Sequence, residues 1–312
     1  MMKRFFAFVL IMMLCVLCFA GCSNMSDVVD NKNLDADETQ IITQSSQNFQ
    51  FLNTEEMIGM YFYDQLSNVE KSLYCYIVVQ LNEFVSEVRF NDMELFGQEI
   101  SDESMMKVIT AVEQDHPEYF WTTQSFGYVT TQTEKIVSFS KKDDAETLKR
   151  LLEECDKVGN EILVAIPESS SYEKAKYIYN CLLDMVEYTD QKDQYFDIRG
   201  ALLNKATNCN GYAHALKFLF DKADIPCIVV YGSTDGGWHA WNAIQLDGQW
   251  YWVDSTWGDS TNNRDFYFCM TDSELFTDHT VHRKAAYAGW ETSQTFVFPT
   301  CTDTKYREWW KH

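Results

Sequence analysis

Three residues in the second half of the chain have the types and the order that thiol chemistry requires. Cys209 precedes a predicted helix, His239 lies on a predicted strand, and Asp254 ends the next strand. The first N–H groups of a helix are unpaired and its dipole is positive at that end, which favours a thiolate. A histidine beside the sulfur would strengthen this effect, and an aspartate would orient the histidine. The sequence therefore predicts a Cys209–His239–Asp254 triad.

The predicted hairpin tests whether two of these residues can meet. The Asp-Gly pair at 247–248 is a tight two-residue turn signal, so Leu246 should pair with Gln249. Extending that register places His239 and Asp254 on one face as diagonal neighbours, with backbones about 7 to 8 Å apart. A bulge or a longer turn would move them to opposite faces. The loop at 233–237, which precedes His239, is expected to be flexible and suited to moving over a cleft.

The surrounding elements predict an α+β fold. A capping box at Ser170–Glu173 starts a helix that runs to about Val186, and the helix that follows the cysteine spans Gly211 to Ala223. Four strands come after it: Cys227–Tyr231, Trp238–Gln245, Gln249–Asp254 and Phe266–Met270. We expect the cysteine helix to pack on an antiparallel sheet in a domain covering residues 168–312.

An accessory domain of helices and strands is predicted before it, at residues 51–167. Capping serines at Ser67 and Ser101 start two helices, and Pro117 ends the second. Strands are expected at 85–90, 126–131 and 135–140, and a helix at 144–166. His116, beside the proline, is interpreted as a solvated or capping residue rather than a catalytic one.

The chain begins like an exported protein. A basic start precedes the apolar run Phe5–Phe19, which is too short to span a membrane, so residues 1–21 are predicted to be a signal peptide. The run ends in a segment that resembles the lipobox of bacterial lipoproteins, which predicts lipidation of Cys22 and anchoring at the outer face of the cytoplasmic membrane. Ordinary cleavage near Ala20 would instead release a free secreted protein. Residues 22–50 are polar and acidic and are expected to form a flexible tether.

The composition limits the partners. A formal net charge of -22 disfavours nucleic acid as a partner. No zinc or calcium motif is visible in the mature chain, and the isolated His279-x-x-His282 pair is interpreted as surface residues, so we predict no metal and no cofactor. Six cysteines besides Cys209 could pair, although most are expected to be buried apolar residues: Cys75, Cys155, Cys181, Cys227, Cys269 and Cys301.

Four segments carry a resemblance to a known family. Cys209–Ala213, His239–Asn242, Asp247–Tyr251 and Val253–Trp257 resemble the transglutaminase-like superfamily, as found in bacterial surface proteins, over about Ser170 to Thr280. This resemblance implies a papain-like fold in which Cys209, His239 and Asp254 serve as nucleophile, general base and orienting acid. Asn208 departs from the pattern, because an apolar residue often stands there.

The implied activity is attack on an amide or peptide carbonyl through an acyl-enzyme, by a cysteine peptidase, an amidase or a transglutaminase. The substrates would be cell-surface proteins or peptidoglycan peptides. The backbone N–H of Cys209 and one further donor, Asn204 or Asn208, would hold the oxyanion. The tryptophans expected to line a substrate groove are Trp238, Trp241 and Trp257. The alternative is a surface lipoprotein that binds or scaffolds without catalysis, since no second oxyanion donor is evident.

Overall fold

The computed structural model describes residues 60–122, 126–139, 143–166, 169–191, 194–261, 263–287 and 290–307. The predicted signal peptide, the tether and Cys22 lie outside these residues. Within them, no helix combines the length and the apolar character that crossing a membrane requires.

The first region contains helices and a small sheet. A 3-10 turn at Tyr63–Gln65 leads to α1 (Asn68–Asn82), which starts at the predicted capping box of Ser67 and Glu70. The remaining elements are β1 (Glu87–Phe90), α2 (Asp92–Phe96), α3 (Asp102–Asp115), β2 (Phe126–Thr130), β3 (Lys135–Phe139) and α4 (Ala145–Val164). Strand β3 lies between β1 and β2 in an antiparallel sheet.

Helix α3 begins and ends where the sequence predicts. Ser101 accepts a hydrogen bond from the N–H of Ser104, and His116 is the C-cap with a ψ of 77°, outside the helical region that the following proline disfavours. His116 is nevertheless buried, with Nδ1 2.7 Å from Glu118 Oε1. Its interpretation as a capping residue is confirmed, whereas its interpretation as a solvated residue is wrong because neighbouring aromatic rings cover it.

The second region holds the longer strands. Helix α5 (Ser171–Met185) is followed by β4 (Glu187–Tyr188), a π-helical turn (Gly200–Asn204), β5 (Ala206–Thr207) and α6 (Cys209–Lys222). Three strands come next: β6 (Cys227–Thr234), β7 (Gly237–Leu246) and β8 (Gln249–Val253). The chain ends in α7 (Ser255–Asp259), a 3-10 turn (Arg264–Tyr267), α8 (Asp272–Leu275), β9 (Thr280–Val281), β10 (Lys284–Tyr287) and β11 (Trp290–Thr295).

Two local predictions are wrong. The expected strand Phe266–Met270 is a 3-10 turn followed by a single antiparallel bridge from Met270 to Trp252. The expected flexible loop at 233–237 is largely strand, because Thr234 pairs with Gly237 and leaves only two residues in the turn.

The main sheet is antiparallel and has the order β8-β7-β6-β9. Its hairpin register is the predicted one, with Leu246 opposite Gln249 and Asn242 opposite Val253. Helix α6 packs against β6 and β7. The buried amide of Asn242 joins them, donating to Ala213 O at 2.9 Å and to Ile228 O at 3.2 Å. The α+β fold, with the cysteine helix on an antiparallel sheet, is confirmed.

The described residues all belong to one compact unit. Buried side chains of α1 and α3 belong to the same hydrophobic cluster as those of α6 and β7. The boundary between residues 167 and 168 therefore stays a prediction, since both sides contribute to one core.

Candidate active site

The start of α6 fixes the position of Cys209. Asn208 is the N-cap residue, and its Oδ1 accepts from the N–H of Asn210 at 3.0 Å. The side-chain amide of Asn210 in turn donates to Phe196 O at 2.7 Å. Gly211 lies so close to Thr207 that an added Cβ would be 2.0 Å from its Oγ1. Cys209 is thereby held as the first helical residue, with a partly exposed thiol.

Small residues bring this helix end close to the sheet. Cys209 packs on a cluster of Ala213 from α6, Val229 from β6 and Ala240 from β7. This packing places the start of α6 against the segment of β7 that carries His239. Cys209 lies close enough to His239 to help raise the pKa of its imidazole.

His239 and Asp254 form a buried pair. His239 Nε2 lies 2.8 Å from Asp254 Oδ2, and both side chains are buried. Asp254 directly follows β8 and is the N-cap residue of α7, where its Oδ1 accepts from the N–H of Trp257 at 3.0 Å. Since Nε2 of His239 faces the carboxylate, Nδ1 is the nitrogen left for the Cys209 thiol. The prediction that His239 and Asp254 share a face within hydrogen-bonding distance is confirmed.

The electrostatics favour an ionised pair. Burial lowers the pKa of His239, but the hydrogen bond with Asp254 and the nearby Cys209 outweigh it and raise that pKa to about 10. Burial raises the pKa of Asp254, but hydrogen bonds from His239, His279 and the Trp257 N–H outweigh it and hold that pKa below its ordinary value. At neutral pH the site therefore holds a carboxylate and an imidazolium.

A second histidine bonds to the same carboxylate. His279 Nε2 lies 3.1 Å from Asp254 Oδ2, and its Nδ1 lies 2.5 Å from Asp278 Oδ1. The interpretation of His279 as a surface residue is wrong, because β9 pairs with β6 and brings His279, the residue just before β9, into the core. His282 is partly buried, with Nε2 3.3 Å from Ser233 Oγ.

His239, Asp254 and His279 are also the described residues that could hold a metal ion. Their ligand atoms lie within 4.8 Å of one another, and two imidazoles with a carboxylate are a donor set that zinc accepts. In this structure the separations of 2.8 and 3.1 Å are those of hydrogen bonds. The same atoms thus serve the pairing of His239 with Asp254.

The three candidate groove tryptophans differ in exposure. Trp241 is fully buried and stacks on His239 with ring centroids 5.8 Å apart, so its assignment to the groove is wrong: its ring supports the imidazole from inside the core. Trp257 is partly buried, 5.7 Å from the His239 ring. Trp238 is 69% exposed beside Tyr231 and His282. Trp238 and Trp257 stay predicted groove residues.

The proposed oxyanion donors have other contacts. The exposed amide of Asn204 donates to Gln194 Oε1 at 3.5 Å, and the amide oxygen of Asn208 caps α6. Their role in binding an oxyanion stays a prediction.

The other cysteines of the described chain are free thiols. Five of them are buried, as expected, and Cys181 is partly exposed. Burial raises the pKa of four of these thiols far above the ordinary range: Cys155, Cys227, Cys269 and Cys301. Cys209 therefore differs from them in having both exposure and a histidine partner.

Comparison with known proteins identifies the domain that carries this site. A family model described as the transglutaminase-like superfamily matches residues 161–255, which include Cys209, His239 and Asp254. Kyphoscoliosis peptidase of Mus musculus is 31% identical over 137 residues, covering 35% of this chain and 21% of the relative. The human protein of that name is 31% identical over 134 residues, covering 34% and 20%. The chain thus spans about a fifth of the length of these relatives.

Solved structures are similar at low identity. A crystal structure of a TGase is 14% identical, covers 57% of this chain and 52% of its own, and has a TM-score of 0.34. A candidate cysteine protease from Cytophaga hutchinsonii is 12% identical, covers 58% and 80%, and has a TM-score of 0.32. The family match assigns a transglutaminase-like domain to residues 161–255.

Proposed function

We propose that the transglutaminase-like domain of this protein is a thiol enzyme in which Cys209 attacks an amide or peptide carbonyl. The observation that carries the proposal is the buried His239–Asp254 hydrogen bond of 2.8 Å, beside a partly exposed Cys209 that helps raise the pKa of the imidazole. Nucleophile, base and orienting group are thereby brought together in one site.

Acylation follows from the protonation states. The Cys209 thiolate attacks the carbonyl carbon while His239 is an imidazolium held by Asp254. The N–H of Cys209, the first of α6, has no acceptor within the helix and can bind the oxyanion together with a second donor. His239 then gives its Nδ1 proton to the leaving amine, the C–N bond breaks, and the acyl group remains on Sγ as a thioester.

Deacylation reverses the proton transfer. Neutral His239 takes a proton from water or from a second amine as that molecule attacks the thioester. The C–S bond then breaks and restores the thiolate and the imidazolium. Water yields a carboxylic acid, and an amine yields a new amide. We propose hydrolysis as the main outcome, because water is the most abundant acceptor outside a cell.

The proposed setting follows from the N-terminal sequence. An export signal at 1–21 and a lipid on Cys22 would hold the enzyme at the outer face of a bacterial cytoplasmic membrane, where surface proteins and peptidoglycan peptides are the available amides. A scaffold without catalysis would have no need of a partly exposed thiol beside a buried histidine–carboxylate pair.

The test compares wild type with Cys209→Ala. Each protein is incubated with a library of glutamine-containing and other peptides plus a primary amine, and the products are measured by mass spectrometry. We expect new acids or new amides only from wild type. Cys181→Ala is the matched control, because it removes a partly exposed thiol elsewhere. Equal turnover by Cys209→Ala would refute the proposal, and amide products alone would show that an amine is the acceptor.

A further inference from the structure

His279 reaches the active site through a close strand contact. Val281 pairs with Gly232, and Thr280 pairs with Ser233, so His279 enters directly beside the edge of β6. A Cβ at Gly232 would lie 2.1 Å from Thr280 O and 2.4 Å from the ring of Trp241. Glycine at this position therefore allows β9 to lie where it delivers the imidazole.

The Asp254 carboxylate accepts three N–H groups. Oδ1 accepts from the backbone N–H of Trp257, and Oδ2 accepts from both His239 and His279. A fully buried carboxylate is unfavourable unless such donors replace water. His279 is itself held from its other side by Asp278, and its ring packs against Trp257 with centroids 4.5 Å apart. Its orientation toward Asp254 is thus fixed.

We propose that His279 is a positioning residue of this site, whose Nε2–H holds the Asp254 carboxylate in the orientation that faces His239. The inference rests on the proposed function, because His279 acts on Cys209 only through Asp254 and His239. It extends the predicted triad to an alternating series of acids and imidazoles that starts at Asp278.

The direction of the effect follows from the groups that face Asp254. His239 from β7 and His279 donate to it, and the hydroxyl groups of Tyr179 from α5 and Tyr267 lie near it as neutral phenols. Asp278 and Cys209 do not face Asp254 directly: Asp278 contacts the far side of His279, and Cys209 lies beside His239. The bond from His279 lowers the pKa of Asp254, so its loss lets Asp254 take up a proton at a higher pH. A protonated Asp254 no longer stabilises the imidazolium that supports the thiolate.

The test measures alkylation of Cys209 by iodoacetamide from pH 3 to pH 10, followed by peptide mass spectrometry. In His279→Leu we expect the acid limb of the rate profile to move up by about one pH unit or more, because a hydrogen bond to a charged group is lost. His279→Gln can return an N–H near the Nε2 position and should restore most of the shift. In His279→Asn the amide lies near the position of Nδ1, not Nε2, so the acid limb should shift as in the leucine variant. This polar variant tests the same loss if His279→Leu does not fold.

His282→Gln is the matched control, since His282 flanks the same strand but contacts Ser233. We expect its profile to be that of wild type. The role of His279 would be overturned if the acid limb moved in neither His279→Leu nor His279→Asn. It would also be overturned if the limb moved as far in His279→Gln as in those two variants. A wild-type Cys209 that reacts no faster than Cys181 near neutral pH would instead refute the proposed function itself.

Discussion

Replacing Asp254 with asparagine separates charge from shape at the centre of the site. The amide oxygen can still accept from the Trp257 N–H, so α7 should keep its N-cap. In that orientation the amide NH2 faces His239, whose Nε2 must then accept rather than donate. The imidazole is left neutral, with its proton on Nδ1 facing the sulfur, and it cannot take the proton of the Cys209 thiol.

The size of the effect follows from the His239 pKa. Its rise from 6.5 to about 10 corresponds to roughly 4 to 5 kcal/mol in favour of the imidazolium. Both Asp254 and Cys209 contribute to the rise through a hydrogen bond and through charge, and the Asp254 hydrogen bond is the largest of these. If Asp254 supplies half of the total, its neutralisation disfavours the imidazolium of His239 by about 10²-fold.

Iodoacetamide alkylation of Cys209 measures this change without a known substrate. We expect Asp254→Asn to react about 10²-fold more slowly than wild type at pH 7, because the neutral imidazole no longer takes the proton of the thiol. Asp259→Asn is the matched control, because it neutralises a carboxylate of the same short helix that bonds to Tyr212 rather than to a histidine. Wild-type reactivity of a folded Asp254→Asn protein at pH 7 would refute the ion-pair reasoning.

Four further predictions follow from single contacts. Gly211→Ala should lower the free energy of unfolding by about 1 to 3 kcal/mol in urea titrations, because the added Cβ would overlap Thr207 even though alanine favours helices. Adding Thr207→Ala should recover part of the lost stability. A Gly211→Ala protein as stable as wild type would contradict the close approach of Gly211 and Thr207. Because the His239 pKa is raised on folding, its contribution to stability is complete below pH 6.5 and is lost as pH rises through about 10. The free energy of unfolding, measured in urea at pH 6.5 and at pH 10, should therefore differ less between the two pH values in His239→Gln than in wild type. Trp238→Ala should raise KM several-fold and leave kcat nearly unchanged on any substrate that the exposed indole contacts, whereas a fall in kcat alone would contradict a binding role. Cys22→Ala should release the protein from membranes in cell fractionation, and unchanged retention would argue against a lipid anchor.

The parts of the fold that were predictable depend on local interactions. The Asp-Gly turn at 247–248 determines which residues of β7 and β8 face each other, so the position of His239 relative to Asp254 followed from the sequence. The capping boxes at Ser67 and Ser170 are likewise satisfied within one helical turn, and both helices begin there.

The errors concern contacts between distant parts of the chain. Nothing near His279 indicates that β9 would pair with β6 and bury it. Trp241 lies two residues after His239 along β7, so both side chains share one face of the strand. Whether that face is buried depends on the elements that cover it, which the strand itself does not show. The apolar run 266–270 could form a strand or another element, and the periodicity of a short run does not distinguish them.

The hydrogen-bond count at Asp254 explains why a carboxylate is needed there. Three N–H groups converge on a side chain with no exposure to water, one at Oδ1 and two at Oδ2. An asparagine side chain has one oxygen, so its NH2 group would replace one of the two carboxylate oxygens and face N–H groups that also donate. At least one of these N–H groups would then be left without an acceptor in the core. Only an ionised carboxyl accepts at both oxygens and also balances the imidazolium. The residue that ends β8 and starts α7 therefore joins the backbone structure of the sheet to the charge of the site, and the position of the His239 ring depends on both.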